Sequence, residues 1–277
     1  MRVITYTPSF GELPVLRELW KEAFGDSDEF INMFYTTAFS PSRVFAVGEE
    51  AEDGLCLCGG LYWFDGSFKN PLGETERIAY IYAVAVSKEK RGLGYGKLLM
   101  EGVHAYLKGR GYHGVLLAPA EEGLFEFYEK LGYTTCTYRD EIHLQAPDDA
   151  NPMANTLEKN RITKEAYGQM RNALLPIGGV RQENENLDYL EQMAGFYAGE
   201  NYVLAASLEG EHQDILRGVE FLTSQEVNAK EVATGILKQS GCKEGVFRII
   251  GRTQKVTMYY PLQEKASQPT YFGLIFD

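Results

Sequence analysis

"IAYIYAVAVSKEKRGLGYGKLLMEGV", residues 78–103, decides how this chain is read. Its opening run, Ile78 to Val86, is dense in β-branched and aromatic residues and predicts a strand. Three glycines then fall within five positions, Gly92, Gly94 and Gly96, set between Arg91 and Lys97. Leu99, Val103, Tyr106 and Leu107 follow at helical spacing, so the order is strand, bare loop, helix. Glycine allows close approach and positive φ, and consecutive N–H groups at a helix start can then converge on an anion. The stretch reads as a phosphate cradle. Glycines before a helix can also serve only as a tight turn, but three at this spacing, between two cations and after a strand, favour the ligand-binding reading. Two familiar nucleotide motifs fail at their own spacing. Arg91 and Leu98 stand where a Walker A loop needs glycine and Ser or Thr, and Lys97 replaces the last glycine of a dinucleotide fingerprint.

Working outward, "PVLRELWKEAF" and "SDEFINMFYTTAF" carry apolar residues at helical spacing, the second with Ser27 or Asp28 as cap. "RVFAVGEE" and "LCLCGGLYWF" flank an acidic turn and predict an antiparallel hairpin. Beyond the loop helix, which Gly109 and Gly111 should stop as left-handed caps, "HGVLLAPA" reads as a buried strand. "EEGLFEFYEKLGY" is a short helix with Leu124, Tyr128 and Leu131 on one face, ending at Gly132. Strands "YTTCTYRD" and "EIHLQA" complete the first half.

Residues 146–160, "APDDANPMANTLEKN", lack apolar periodicity and predict a boundary between domains at 1–147 and 160–277. In the second half "ENLDYLEQMAGFYAGE" looks helical, "NYVLAASLEG" and "DILRGVEFL" look like paired strands, and "NAKEVATGILKQSG" is a helix ending on glycine. "EGVFRII", "KVTMYYPL" and "YFGLIFD" read as closing strands. The halves share an order of elements, helix end, strand, acidic turn, strand, but the second has no counterpart of "IAYIYAVAVSKEKRGL". Aromatics of "YYPL" and "YFGLIFD" are candidates for the wall of a substrate pocket between the lobes, with core packing as the alternative.

Composition narrows the function. Of 277 residues 44% are hydrophobic and 24% charged, ordinary globular usage, and the length suits one large domain or two. No stretch approaches the roughly 18 apolar residues of a membrane span, and the first residues lack a signal-peptide run, so a cytoplasmic protein is expected. Four cysteines and four histidines form no metal-ligand spacing, and reduced thiols and no metal are expected. A net charge of −12 disfavours nucleic acid and favours a cationic partner.

R-x-x-G-x-G, read as Arg91, Gly94 and Gly96 after "AVAV" and before "KLLMEGV", resembles the acetyl-CoA loop of the GNAT acyltransferase superfamily. The strand before it, the buried strand after its helix and "FYEKLGY" fall in that family's order, so the resemblance covers roughly residues 1–145. It implies an α/β (α+β) fold, a mixed central β-sheet flanked by helices, with the second half a degenerate GNAT-like lobe or another small α+β domain. It also implies that the backbone of Arg91, Gly92, Leu93, Gly94, Tyr95 and Gly96 holds the CoA pyrophosphate, with Lys97 adding charge. Val84, Ala85 and Val86 match the strand end that pairs with the pantetheine arm and polarises the thioester carbonyl. Tyr128 matches the tyrosine that protonates the departing thiolate. Here the sequence departs from a common pattern, because Tyr80 stands where some relatives carry a glutamate base. Glu74 and Glu76 lie just upstream as substitutes, with Tyr80 or Tyr82 able to orient a water. The resemblance implies an acetyl-CoA-dependent N-acetyltransferase acting on a small-molecule or peptide amine; charge and the lack of an apolar span imply no nucleic-acid or membrane partner, and a homodimer is the general expectation. The alternative is a non-catalytic acyl-CoA-binding sensor or scaffold.

Overall fold

The computed structural model describes residues 2–52, 54–146 and 155–276. They fall into two compact units that are each discontinuous in sequence. The first comprises Met1–Phe68, Glu74–Thr134 and Met258–Gln268; the second comprises Lys69–Gly73, Thr135–Thr257 and Pro269–Asp277. The expected break at 146–160 lies largely outside the described residues, since 147–154 are not among them.

In chain order the first unit's elements are β1 (Val3–Tyr6), α1 (Leu13–Phe24), α2 (Asp28–Thr37), β2 (Val44–Ala51) and β3 (Gly54–Lys69). There follow β4 (Thr75–Val86), α3 (Tyr95–Gly109), β5 (Gly114–Leu117) and α4 (Glu122–Lys130). Local signals set most of these bounds. Gly25, at φ +74°, ends α1 by returning its N–H to Lys21 O, and Ser27 Oγ caps α2 by accepting from Phe30 N–H. Helix α3 stops at Gly109 with only Gly111 left-handed, at φ +78°, so one glycine does the work expected of two. The hairpin β2–β3 is antiparallel, and β4 runs parallel to β5 through the α3 crossover.

Strand β4 has apolar residues on both faces. Ala79 and Ile81 join Leu99, Met100, Val103 and Leu107 of α3 in one core. Tyr82 lies on the other side within 5.7 Å of the rings of Trp20, Phe34 and Phe64, and Tyr80 stacks on Phe64. Burying α3's four fully enclosed apolar side chains stabilises this unit by about 1.5–3 kcal/mol each.

The second unit holds β6 (Thr134–Gln145), α5 (Lys164–Leu174), α6 (Glu185–Leu190), β7 (Gly195–Gly199), β8 (Tyr202–Glu209) and β9 (Ile215–Thr223). It continues with α7 (Ala229–Ser240), β10 (Glu244–Ile250) and the first part of β11 (Gln254–Pro261). Strand β9 is parallel to β10 through α7, and β7–β8–β9 are antiparallel neighbours, the same order of pairings that β2, β3, β4 and β5 follow around α3.

The two strands that finish these arrays are exchanged relative to sequence. Strand β6, which follows α4, pairs antiparallel with β10, from Glu244↔Gln145 to Ile250↔Arg139. Strand β11, which follows β10, pairs antiparallel with β5 over Met258↔Leu117 to Pro261↔Gly114. Residues 258–268 therefore belong with the first unit, and a simple division at the middle of the chain does not describe it. "YTTCTYRD" and "EIHLQA" are one strand of the second unit rather than two of the first.

Two further expectations are corrected. Helix α6 covers only Glu185–Leu190, because Gly195–Gly199 is taken up as β7 by main-chain pairing with β8. "YFGLIFD" is not a strand: beyond one bridge at Tyr271, Leu274 is held by a side chain, its N–H donating to Gln182 Oε1 (3.0 Å) and its carbonyl accepting from Gln182 Nε2 (2.7 Å). Tyr259, Tyr271, Phe272 and Phe276 are buried, and Tyr260 is half-buried against the α3-side core.

Beneath that C-terminal segment lies a fully buried ion pair. Arg171 Nε and Nη2 donate to the Glu220 carboxylate at 2.7 and 2.9 Å, and Tyr271 OH adds a third hydrogen bond at 2.8 Å. Tyr167 OH donates to the same carboxylate. Gly273 is obligatory there, since a Cβ would sit 1.7 Å from Glu220 Oε1.

Candidate active site

The end of β4 is shaped by one residue. Ala83 takes φ +50°, which an L-residue in a regular strand does not adopt. The facing of the strand changes there. Ala79 and Ile81 belong to the α3-side core before it, and Val84 and Val86 pack against that same core after it, so the parity slips from odd to even. This is a bulge in effect. Pairing of β4 with β5 runs only from Ile78↔Gly114 to Ile81↔Leu117, where β5 ends. On its other side β3 stays close: Ser87 N–H donates to Cys58 O at 2.9 Å, and a Cβ at Gly59 would approach Ala85 O to 2.8 Å. The edge of Tyr82–Val86 that would face β5 thus runs on past the last β5 pair. An extended ligand arm can add to such an edge by main-chain hydrogen bonds.

The glycine loop follows directly. Gly92 and Gly94 are left-handed, at φ +75° and +87°, and Gly94 is the N-terminal cap of α3 with no side-chain cap. The first bonded amide of α3 is Leu98 N–H, to Gly94 O at 3.0 Å. The amides of Gly94, Tyr95, Gly96 and Lys97 are therefore the four that helix geometry leaves without a carbonyl. Most of Arg91–Gly96 is open to solvent, Tyr95 alone being buried. Gly96 adds a separate observation. It does not have positive φ, and a Cβ there would meet only Phe127 Cζ at 3.5 Å, an ordinary contact. Neither backbone conformation nor packing explains glycine at 96, whereas unhindered access to the amides does.

Each cation around the loop lies near a carboxylate. Arg91 Nε donates to Val86 O at 3.0 Å, and its Nη2 lies 3.8 Å from Glu22. Lys90 Nζ is paired with Glu49 at 2.7 Å, and Lys97 lies 3.7 Å from Glu101 one turn along. Leu93 projects into solvent. Sequence reasoning passed over Glu22 and Glu49 because each lies far from the loop in the chain and neither belongs to a motif.

Tyr128 lies on α4 in the α3-side core, edge-on to Phe127 and Tyr133 with ring centroids at 5.1 and 5.5 Å. Burial pushes its phenol up to about 12, so the hydroxyl stays protonated throughout the neutral range. Behind it, Tyr133 OH is hydrogen-bonded to His104 Nε2 at 2.7 Å, and the His104 ring is stacked on Tyr260 at 4.1 Å. Burial drives the His104 imidazole down to about 4, which makes it a neutral partner for Tyr133.

Tyr80 is nearly fully buried and belongs to the aromatic packing between β3, β4 and α2, a layer distinct from the α3-side core that holds Tyr128. Glu76 is buried and committed elsewhere, both carboxylate oxygens accepting from Ser267 N–H at 2.9 and 3.1 Å. It pins residues 258–268 to the first unit. Glu74, the other carboxylate upstream of the strand, is exposed immediately before β4.

Residues 13–133 match the model of the acetyltransferase (GNAT) family. The strand with a bulged end, the bare amide loop and the helix that follows it all lie within that matched segment. No curated protein sequence matches the chain. Among solved structures, a GCN5-related N-acetyltransferase from Anabaena variabilis superposes with a TM-score of 0.70 at 16% identity, covering 95% of this chain and 73% of that one. A GCN5-related N-acetyltransferase from Kribbella flavida gives 0.69 at 15% identity, covering 94% and 71%. At such identity the likeness is one of fold, and it extends beyond the family segment into the second half. Among the described residues no helix is long and apolar enough to cross a membrane.

Proposed function

We propose that this protein transfers the acetyl group of acetyl-CoA directly to an amine of a small molecule or peptide, at one site in the first unit. The observation that carries the reading is the set of four unpartnered amides, Gly94 to Lys97, opened by a glycine that the fold itself does not need. They suit a pyrophosphate. The extended end of β4, Val84 to Val86, suits the pantetheine arm, and its main-chain N–H groups would stabilise the negative charge that builds on the thioester carbonyl as the amine attacks. A C–N bond forms, the C–S bond breaks, and the sulfur needs a proton. Tyr128, held protonated by burial, is the group assigned to supply it. No cysteine nucleophile is required, and the acceptor amine must arrive neutral or lose its proton to a group other than Glu76.

That last requirement is the one observation favouring a second reading, a non-catalytic acyl-CoA sensor: Tyr80 is packed and Glu76 is engaged. Calorimetric titration with acetyl-CoA tests both. One site per chain, abolished by Gly94→Glu, supports the assignment of the loop, while two sites would mean that the second unit binds as well. Absence of binding by folded protein removes both readings. Thiol release across a panel of amines then separates enzyme from sensor. Tyr128→Phe should bind acetyl-CoA as the native chain does and turn over roughly 10²-fold more slowly.

A further inference from the structure

The loop that presents the four amides is braced from two sides by carboxylates. Glu49, near the end of β2, is largely buried, and two groups converge on it: Lys90 Nζ at 2.7 Å and the hydroxyl of Tyr95. Lys90 closes the short 3-10 turn just before Gly92, and Tyr95 is the first residue of α3. One carboxylate therefore holds both ends of the span Arg91–Gly94, the part containing both left-handed glycines. Lys90 Nζ also lies 5.6 Å from the centre of the Tyr95 ring, so the three groups form a single cluster. From α1, Glu22 accepts the Lys88 N–H at 2.8 Å and holds the start of the same turn.

We infer that Glu49 is a positioning residue for the loop: it fixes Lys90 and Tyr95 together so that the amides of Gly94–Lys97 already converge before an anion arrives. Glycines at 92 and 94 give the loop its shape and also its freedom, since glycine loses the most conformational entropy on ordering. A loop with two such residues would otherwise be ordered at the expense of ligand affinity. The brace also explains the arrangement of charge. Lys90 is paired with Glu49, and the Nε of Arg91 is engaged by Val86 O. The main-chain N–H groups offered to the anion have their directions set by the fold.

This inference rests on the acyl-CoA reading and goes beyond it by assigning a role to a residue outside the loop. The experiment is calorimetric titration of the full chain with CoA at several salt concentrations, comparing the native protein with Glu49→Gln, Glu49→Ala, Tyr95→Phe and Glu49→Ala/Tyr95→Phe. Glu49→Ala should raise the Kd on the order of tenfold, the cost of a displaced binding geometry. Because it also releases the Lys90 cation beside the phosphates, its Kd should depend more steeply on salt than the native value does. Loss of stability alone would not produce that steeper slope. Tyr95→Phe should weaken binding without steepening the slope, and the double variant should lose less than the two single losses combined. Glu49→Gln keeps an acceptor for Tyr95 and should fall between native and Glu49→Ala, which keeps the proposal testable should the alanine variant fail to fold. CoA binding by Glu49→Gln and Tyr95→Phe as tight as native, with an unchanged salt slope, overturns the inference. No binding by the native protein overturns the acyl-CoA reading itself, and the brace with it.

Discussion

Acidification should loosen the first unit through one side chain, His104, and the effect can be calculated. The imidazole is buried in α3, stacked on Tyr260 and hydrogen-bonded to Tyr133, and burial sets its pKa at about 4 in the fold against about 6.5 in the unfolded chain. A depressed histidine pKa means that the unfolded state binds more protons between those two values, so stability is complete above about pH 6.5 and declines as pH falls toward about 4. A gap of about 2.5 pH units corresponds to roughly 3 kcal/mol once both states are fully protonated. By pH 5 about 2 kcal/mol of that is already lost relative to pH 7. Other groups titrate in this range as well, so the comparison that isolates His104 is with His104→Gln, whose amide can still partner Tyr133 but takes up no proton. Urea unfolding of both proteins at pH 7 and pH 5, followed by tryptophan fluorescence, gives the difference directly. Trp20 and Trp63 both lie in the first unit, so the signal reports on the right part of the chain. The native protein should lose about 2 kcal/mol more than the variant between the two pH values. Equal losses would show that His104 is not held neutral in the fold, and the account of the Tyr133 contact beside Tyr128 would fall with it.

Two glycines of the loop should behave in opposite ways. Gly96→Ala should leave the thermal midpoint essentially unchanged, because the added Cβ makes only an ordinary contact with Phe127, yet raise the Kd for CoA by roughly tenfold as the methyl group intrudes on the amides. Gly94→Ala, at φ +87°, should by contrast cost about 1–2 kcal/mol of stability before any ligand is added. In the second unit, Glu220→Gln leaves Arg171 charged and buried without its counter-ion and should destabilise the chain by about 3–5 kcal/mol, measured by chemical unfolding. A loss below about 1 kcal/mol would mean that the pair is not closed to water as the structure has it.

Much of the first unit was legible because its signals are local. The cap at Ser27, the helix end at Gly132, the hairpin around the acidic turn and the strand–glycine–helix order of residues 78–103 each depend on a few neighbouring residues. The second half was harder. Gly195–Gly199 sits in a run with helical spacing, and only pairing with β8 makes it a strand. "YFGLIFD" has the composition of a strand, but the buried Arg171–Glu220 pair and Gln182 claim its surroundings through side chains. The slip of parity at Ala83 was also hidden, since alanine carries no signature of positive φ.

What the sequence determined by itself, then, is the bare loop between a strand and a helix and the element order around it, because backbone freedom and helix capping are properties of adjacent residues. Tertiary structure alone decided which strand completes which array, with β6 paired to β10 and β11 to β5. It also set Tyr80 against Phe64, gave Glu76 to Ser267, and brought Glu49 to Lys90 and Tyr95. Strand pairing and ion pairing join residues far apart in the chain, and a partner's identity depends on which edge or charge the fold delivers within about 3 Å, a condition that no local window of sequence contains.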